Sequence, residues 1–411
     1  MSAAPALHAF TGYGIELEYM IVDRQTLTVM PIADRLLRAV AGESASEVAR
    51  GQFGWSNEIV LHLVEVKNIR PDPALELLVT GFQAEINSIN RLLQSMGARL
   101  MPGAMHPWMN PAAETRLWPH ENAPIYQAYD HIFDCSKHGQ ANLQSMHVNL
   151  PFTDDDEFAR LHAAVRLLLP ILPALAASSP IADGKPSGFL DTRMEGYRTA
   201  VSRVPSVSGQ VIPETVDSCG EYQDVVLAPM YRDIAPLDPH GVLRHEWLNA
   251  RGAIPRFDRN AIEIRVIDVQ ECPQADLAIA AATTAVVRAL YDARWFPLAA
   301  QQAITTDALA KILHDCIRDA EQAVIDDAGY LQLVGFPERQ CRASDLWRHL
   351  GETTSLEHSA NWGDPLRVML DHGPLARRIL RALGPAYGKA RLHEVYQELC
   401  DCLEAGRMFV G

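Results

Sequence analysis

Three short stretches place paired polar side chains on one face of an otherwise apolar strand. They are Gly14-Ile15-Glu16-Leu17-Glu18-Tyr19, Ser145-Met146-His147-Val148-Asn149-Leu150 and Ala261-Ile262-Glu263-Ile264-Arg265-Val266. Strand side chains alternate between faces, so Glu16 points with Glu18, His147 with Asn149, and Glu263 with Arg265, while apolar residues fill the other face. The pattern restricts the chain to a sheet with one apolar and one polar face. Carboxylates at i and i+2 on one face repel unless a cation lies between them, and three such strands side by side would floor a metal-binding cavity. Each pair taken alone also fits a strand with one solvated face. The set as a whole does not, because His with Asn and Glu with Arg are ligand and phosphate-clamp types.

The rest of the sequence supplies the cover for such a sheet. A short helix is expected over Ala33–Ala41 and a further strand, carrying Glu65, over Ile59–Asn68. Asp72-Pro73 reads as an N-cap followed by Pro at the first helical position. Leu75, Leu78, Phe82, Ile86, Ile89 and Leu93 then recur at helical spacing up to Gly97. A strand over Ala98–Ala104 follows, then a long helix over Asp154–Ser178, opened by acidic residues at its positive end. Ser179–Gly220, rich in Gly, Pro and Ser, reads as a long ordered loop over a site, and Asp276–Trp295 as an Ala-rich helix. Beyond about residue 305 the pattern is helical, with turns at Gly363-Asp364-Pro365, Gly373-Pro374 and Gly384-Pro385. The class is α+β: a mostly antiparallel sheet with helices packed on its outer face. No linker divides the 411 residues, so the expectation is one domain, with a sheet-and-helix core over about 10–300 and a helical C-terminal segment over about 301–411.

Composition narrows the function. A net charge of −15 argues against a nucleic-acid or anionic-membrane surface, though a nucleotide ligand needs only a few arginines and a divalent cation. Seven scattered cysteines suggest reduced thiols in a cytoplasmic protein. Cys400-x-Cys402 lacks the second ligand pair of a zinc site. Met1 to Phe10 has neither the basic nor the apolar part of a signal peptide. No apolar run is long enough for a membrane span; Ala163–Ala177 comes nearest and reads as a buried helix.

Glu16, Glu18, Glu65 and Glu263 sit in apolar strand sequence, where unpaired charge is costly and hard divalent cations are the natural partners. Glu58 lies seven residues before Glu65, so either it belongs to the preceding loop or a bulge restores its direction.

These residues carry a resemblance. Gly14-Ile15-Glu16-Leu17-Glu18, the Glu58-x6-Glu65 spacing, Gly103-Ala104-Met105-His106-Pro107, Met146-His147-Val148-Asn149 and Ala177-Ser178-Ser179-Pro180 occur in that order. Arg256-Phe257-x4-Ile262-Glu263-Ile264-Arg265-Val266-x-Asp268 completes the series. Together they resemble glutamate–cysteine ligases, in particular the bacterial type-2 carboxylate–amine ligases of the glutamine-synthetase-like superfamily.

The resemblance implies a curved, open sheet funnel and a set of roles. Glu16, Glu18, Glu58, Glu65, His147 and Glu263 match positions that hold Mg²⁺, with Mn²⁺ as an alternative, between ATP phosphates and substrate. Arg265 matches the arginine facing the transferred phosphate, so Arg265, Glu16 and Glu263 are the implied ATP contacts, and Arg265, Glu263 and Arg193 the implied catalytic set. Arg193 and Arg198, in Asp191–Arg198, match a loop that binds the acidic substrate; loop-stabilising salt bridges are the alternative for both. Asn149, a further substrate-contact candidate, stands where many relatives carry a second histidine.

The implied reaction is attack of a carboxylate, foremost the γ-carboxylate of glutamate, on the ATP γ-phosphate. Displacement of phosphate by an amine, with cysteine the leading candidate, follows. The same chemistry on another amine, phosphotransfer to a guanidino compound and a non-catalytic nucleotide- or metabolite-binding protein are the alternatives. The expected partners are small-molecule substrates, with a homodimer admitted and no nucleic acid or membrane.

Overall fold

In the computed structural model, which describes residues 6–411, the polar strands lie side by side. The strands are β1 (Gly14–Asp23), β2 (Glu47–Arg50), β3 (Phe53–Asn57), β4 (Leu63–Asn68), β5 (Ala98–Met101), β6 (Ser145–Pro151), β7 (Ile181–Ala182), β8 (Lys185–Pro186), β9 (Ala253–Arg256) and β10 (Ala261–Asp268), followed by a short ribbon of Val324–Ile325 with Cys341–Arg342 in the otherwise helical C-terminal segment. The main sheet runs β2-β3-β4-β1-β6-β10-β9, with β5 also on β1, and every pairing in it is antiparallel. β1 is therefore central. Glu16 faces Lys67 on one neighbour and His147 on the other, Glu18 faces Glu65, and Glu263 faces Asn149.

The opposite face is fully apolar. Ile15, Leu17, Tyr19, Val64, Val66, Met146, Val148, Ile262 and Ile264 are buried in one cluster with Leu78, Phe82, Ile86, Ile89 and Leu93 of the helix Leu75–Gln94. Residues of the helices Asp155–Leu168 and Pro273–Tyr291 complete it. Each such side chain contributes roughly 1.5–3 kcal/mol relative to exposure, which is what holds the sheet's polar face turned outward.

One irregularity matters for the site. Between Ile264, opposite Val148, and Ile267, opposite Met146, β10 carries an extra residue. Without it, Asp268 and Glu263 would alternate to opposite faces. The bulge brings Asp268 opposite Ser145, onto the polar side.

Several expected boundaries move. The strand expected over Ile59–Asn68 is regular only from Leu63, because residues 59–62 turn, and the strand over Ala98–Ala104 stops at Met101. The helix read as capped by Asp72-Pro73 begins at Leu75; Asp72 Oδ1 instead accepts from the Ala74 N–H at 2.9 Å in the turn before it. The long helix over Asp154–Ser178 is capped by Asp154 but breaks into Asp155–Leu168, a 3₁₀ turn over Leu169–Ile171 and Leu172–Ala176. Pro170 and Pro173 lack the N–H that an unbroken helix needs there. By length and composition Asp155–Ala176 could cross a membrane, yet 94% of its most apolar window is buried inside this fold.

Ser179–Gly220 is not a plain loop, since it contains the β7–β8 ribbon and the helix Thr192–Ala200. The Ala-rich helix runs Pro273–Tyr291 rather than Asp276–Trp295. Gly363-Asp364-Pro365, expected as a turn, opens the helix Gly363–His372 with Pro in its first turn. All seven cysteines are free. Residues 1–5 of the stretch examined for a signal peptide lie outside the described residues.

Candidate active site

The polar face of β4, β1, β6 and β10 is a floor of buried carboxylates around one imidazole. His147 Nδ1 lies 2.9 Å from Glu16 Oε2 and 3.9 Å from Glu263 Oε1, and its Nε2 lies 3.7 Å from Glu18 Oε1. Ser145, two residues earlier on the same face, donates its N–H to Glu18 Oε2 at 2.7 Å, and its hydroxyl lies 2.9 Å from His147 Nε2. Glu65 accepts from the Ser56 hydroxyl at 2.7 Å and pairs with Lys67 at 3.1 Å. Glu263 is gripped from two sides, by Arg256 Nη1 at 2.8 Å and Arg265 Nε at 3.0 Å. Glu58 follows β3 in the turn before β4, which settles its direction in favour of the loop, and lines the same cavity as Glu18.

Negative charge is in surplus at one end: among the described residues Glu58 has no ion pair, and Glu18 has only His147 at 3.7 Å. Burial opposes the charged forms of His147, Glu16, Glu18, Glu58 and Glu263, and the ion pairs decide which charges survive. His147 loses stability as a cation by burial, but the Glu16 hydrogen bond and the charges of Glu18 and Glu263 push it up to about 9. Against the same burial, the His147 bond draws Glu16 down, and Arg265, His147 and Arg256 draw Glu263 down. At the surplus end, burial and the neighbouring Glu65 push Glu18 up, and burial with the Glu18 and Glu65 charges pushes Glu58 well up. A divalent cation would relieve that end directly.

Two donor sets, Glu16–His147–Glu263 and Glu18–Glu65–His147, have ligand atoms all within 4.8 Å of one another. Carboxylate oxygens with one imidazole suit Mg²⁺ or Mn²⁺, so the residues fit such an ion.

Two cavities meet this floor at successive inward residues of β1. The larger, about 610 Å³, reaches Glu16 and includes Lys67, Asn149 and Arg259 with Ile69 and Pro71. The smaller, about 150 Å³, is lined by Glu18, Glu58, His147, Arg193, Tyr197 and Arg265, among others. A separate cavity of about 720 Å³ near Trp108 and His393 lies away from these carboxylates.

The family model described as glutamate-cysteine ligase family 2 (GCS2) matches residues 13–400, which takes in every strand of this floor. The chain belongs to that family. An uncharacterized protein of Archaeoglobus fulgidus is 29% identical over 397 residues, covering 97% of this chain and all of that protein. A protein of Ectopseudomonas mendocina, named provisionally as glutamate–cysteine ligase 2, is 27% identical and covers 94% of this chain and 95% of its own length. Among solved structures, glutamate–cysteine ligase of Francisella tularensis in complex with AMP aligns with a TM-score of 0.63 at 12% identity, over 95% of this chain and 88% of that one. That likeness establishes a shared α+β fold.

Within this family-2 ligase the expected residues take distinct places. Glu16, Glu18, Glu65, His147, Glu263 and Arg265 converge on the floor, and Glu58 joins them. Asn149 donates to Glu16 Oε1 at 3.2 Å and lines the larger cavity. Arg193 lines the smaller cavity, but its Nε is spent on Asp268 at 2.5 Å and its Nη2 on the Arg265 carbonyl at 3.2 Å. Arg198 makes a bidentate pair with Glu195, at 2.6 and 2.8 Å, which is the salt-bridge alternative stated for it. The neighbouring Tyr197 lines the cavity in its place, since successive helical residues point about 100° apart.

The sequence reading gave no role to Lys67, Ser145, Arg256, Arg259 or Tyr197. Lys67 and Ser145 each stand two residues from a named ligand on the same strand face, and that spacing could have found them.

Proposed function

We propose that this chain is an ATP-dependent carboxylate–amine ligase that joins the γ-carboxylate of glutamate to the amine of cysteine through an acyl phosphate. The observation that carries the reading is the floor itself. Buried carboxylates surround His147, Glu263 is locked between Arg256 and Arg265, and cavities open at Glu16 and at Glu18.

Glu16, Glu18, Glu58, Glu65, His147 and Glu263 would hold Mg²⁺ or Mn²⁺, which when bound neutralises phosphate charge and fixes the phosphates for in-line attack. The 610 Å³ cavity, with Ile69 and Pro71 as apolar wall and Lys67 and Arg259 as cations, suits a nucleotide. Arg265 faces the smaller cavity, where it would offset charge spread over the transferred phosphoryl oxygens. A carboxylate oxygen attacks phosphorus and ADP leaves. The amine nitrogen then attacks the acyl carbon, phosphate leaves, and the amine gives up a proton.

Positioning and charge neutralisation suffice, with no covalent protein intermediate. Burial pushes the thiols of Cys219, Cys341 and Cys400 up to about 12 and that of Cys402 up to about 11, so none of these supplies a thiolate nucleophile at neutral pH.

Mass spectrometry of products from purified protein with Mg²⁺-ATP, L-glutamate and L-cysteine tests the proposal. A γ-glutamylcysteine mass with matching ADP supports it. ADP without dipeptide retains the acyl-phosphate step and rejects cysteine as the amine, whereas no ADP with any amino acid or guanidino compound rejects the ligase.

A further inference from the structure

Arg265 has one directional anchor beside its ion pair with Glu263. Among the described residues its guanidinium makes one hydrogen bond, from Nη1 to the backbone carbonyl oxygen of Asn249 at 3.1 Å. The contact of Nε with Glu263 lies off the N–H axis, so it is an ion pair without hydrogen-bond direction. An ion pair fixes distance but leaves the planar fork free to turn. The carbonyl bond decides which edge of the fork faces the 150 Å³ cavity.

That carbonyl is itself held by side chains remote from the floor. Asn249 is 1% exposed. Its Oδ1 accepts from the Arg251 N–H at 3.2 Å and from Arg251 Nη1 at 3.1 Å, and its Nδ2 donates to the Tyr222 hydroxyl at 2.6 Å. Arg251 is clamped by Glu214 through two bonds, at 2.5 and 2.6 Å. The Arg265 N–H donates to the Gly252 carbonyl at 2.8 Å, so the backbone on each side of Arg251 touches Arg265. Gly252 admits that approach, since a Cβ there would fall 2.6 Å from Val266 Cγ1.

We propose that Asn249 is a positioning residue for Arg265: its side-chain amide, anchored by Arg251 and Tyr222, fixes the carbonyl that aims the guanidinium at the transferred phosphate. The role assigned to Arg265 rests on the ligase reading; the anchoring of Asn249 does not. Asn supplies an acceptor and a donor from one short side chain. Ala supplies neither, while Asp keeps the acceptor toward Arg251 and takes its second bond from the Tyr222 hydroxyl.

The test is a double-mutant cycle on the intact chain with Asn249→Ala, Arg265→Ala and the pair, together with Asn249→Asp. Asn249→Ala is expected to lower kcat roughly 10–100-fold, the scale of a misplaced catalytic group. KM for ATP should stay near wild type, and Tm should fall only by the few degrees that unmet buried partners cost. Asn249→Asp should recover most of the rate, and the double variant should be no slower than Arg265→Ala. Multiplicative losses in the double variant overturn the proposal, and so does a rate loss that follows Tm. Should Asn249→Ala fold poorly, Tyr222→Phe, which removes one anchor, takes its place in the cycle.

A wild type without turnover rejects the ligase alone. The cycle is then read from calorimetric affinities for Mg²⁺-ATP and Mg²⁺-ADP. Asn249→Ala and Arg265→Ala should erase the preference for ATP equally and non-additively. A preference untouched by Asn249→Ala, or absent from the wild type, overturns the positioning role.

Discussion

Two buried charge clusters in this protein are built on opposite rules. The floor of the sheet gathers Glu16, Glu18, Glu58, Glu65 and Glu263, leaves Glu58 without an ion pair among the described residues, and opens on two cavities. The pair Glu271–Arg378 is wholly buried and closed: Arg378 Nη1 donates to Glu271 and to the Phe409 carbonyl, and the Phe409 N–H donates to the same Glu271 oxygen at 3.2 Å. One carboxylate and one guanidinium balance each other's charge, and a single oxygen, Glu271 Oε1, accepts from both Arg378 and the C-terminal backbone. Buried charge left in surplus beside a cavity awaits a ligand, whereas buried charge that balances internally fastens two parts of a fold. Here the balanced pair fastens the C-terminal tail and the helix Leu375–Leu383 to the segment between β10 and the helix Pro273–Tyr291.

That contrast breaks if the two clusters respond alike to loss of one member. Glu263→Gln should lower turnover by about three orders of magnitude or more, the scale of losing a central electrostatic group. Its melting temperature should stay within a few degrees, because the Gln amide oxygen still accepts from Arg256 and the Arg265 guanidinium faces a cavity. Near-normal turnover in a folded variant would remove Glu263 from the site. Arg378→Met should do the reverse. Leaving Glu271 buried and unpaired costs about 3–5 kcal/mol, read as a lower urea midpoint, while kcat per folded molecule is unchanged. A stable Arg378→Met protein would show that the closed pair fastens nothing.

Metal sharpens the comparison further. Mg²⁺ or Mn²⁺ at about 100 times its dissociation constant should stabilise the wild type by roughly 2.7 kcal/mol. Arg378→Met should gain as much and Glu58→Gln markedly less; an equal gain in Glu58→Gln would place the ion elsewhere. Cys400→Ser with Cys402→Ser should leave metal content unchanged.

The smallest effect belongs to buried groups that carry no charge at neutral pH. Burial holds His62 and His106 down at about 4, and burial with the nearby Arg166 and Arg251 holds His162 down at about 3. In the unfolded chain each takes up a proton near pH 6.5. Their stabilisation is therefore complete above that pH and is lost as the pH falls toward 4. By pH 5.5 each should cost roughly 1.4 kcal/mol. Urea midpoints at pH 7.5 and 5.5 read the slope, and His62→Gln, which keeps a donor for the Ala141 carbonyl, should make it shallower. An unchanged slope would mean that His62 protonates in the native state.

The floor was legible in the sequence because strand alternation is local. Once Gly14–Tyr19 is a strand, Glu16 and Glu18 must share a face, and the same holds for His147 with Asn149 and for Glu263 with Arg265. The apolar helix face from Leu75 to Leu93 was legible for the same reason at a different period, and all six of its spaced residues are buried. Helix ends and the contents of Ser179–Gly220 were less so, since caps and short helices depend on bonds to distant chain. Arg193 shows the limit most clearly. Its residue type and loop suggested a substrate contact, and only the packing of the helix Thr192–Ala200 against the end of β10 commits its Nε to Asp268.

By itself, the sequence determined which residues share a face, which face is apolar, and that carboxylates gather on the polar one. Only the tertiary structure decided which of those faces meet. It set the β1–β6 register that brings Glu16 to His147, the bulge that turns Asp268 inward, and the loop that carries the Asn249 carbonyl to Arg265. The division follows from range. Side-chain alternation is fixed by the covalent geometry of adjacent residues, whereas register, bulges and loop anchors come from contacts between residues far apart in the chain, 131 positions in the case of Glu16 with His147.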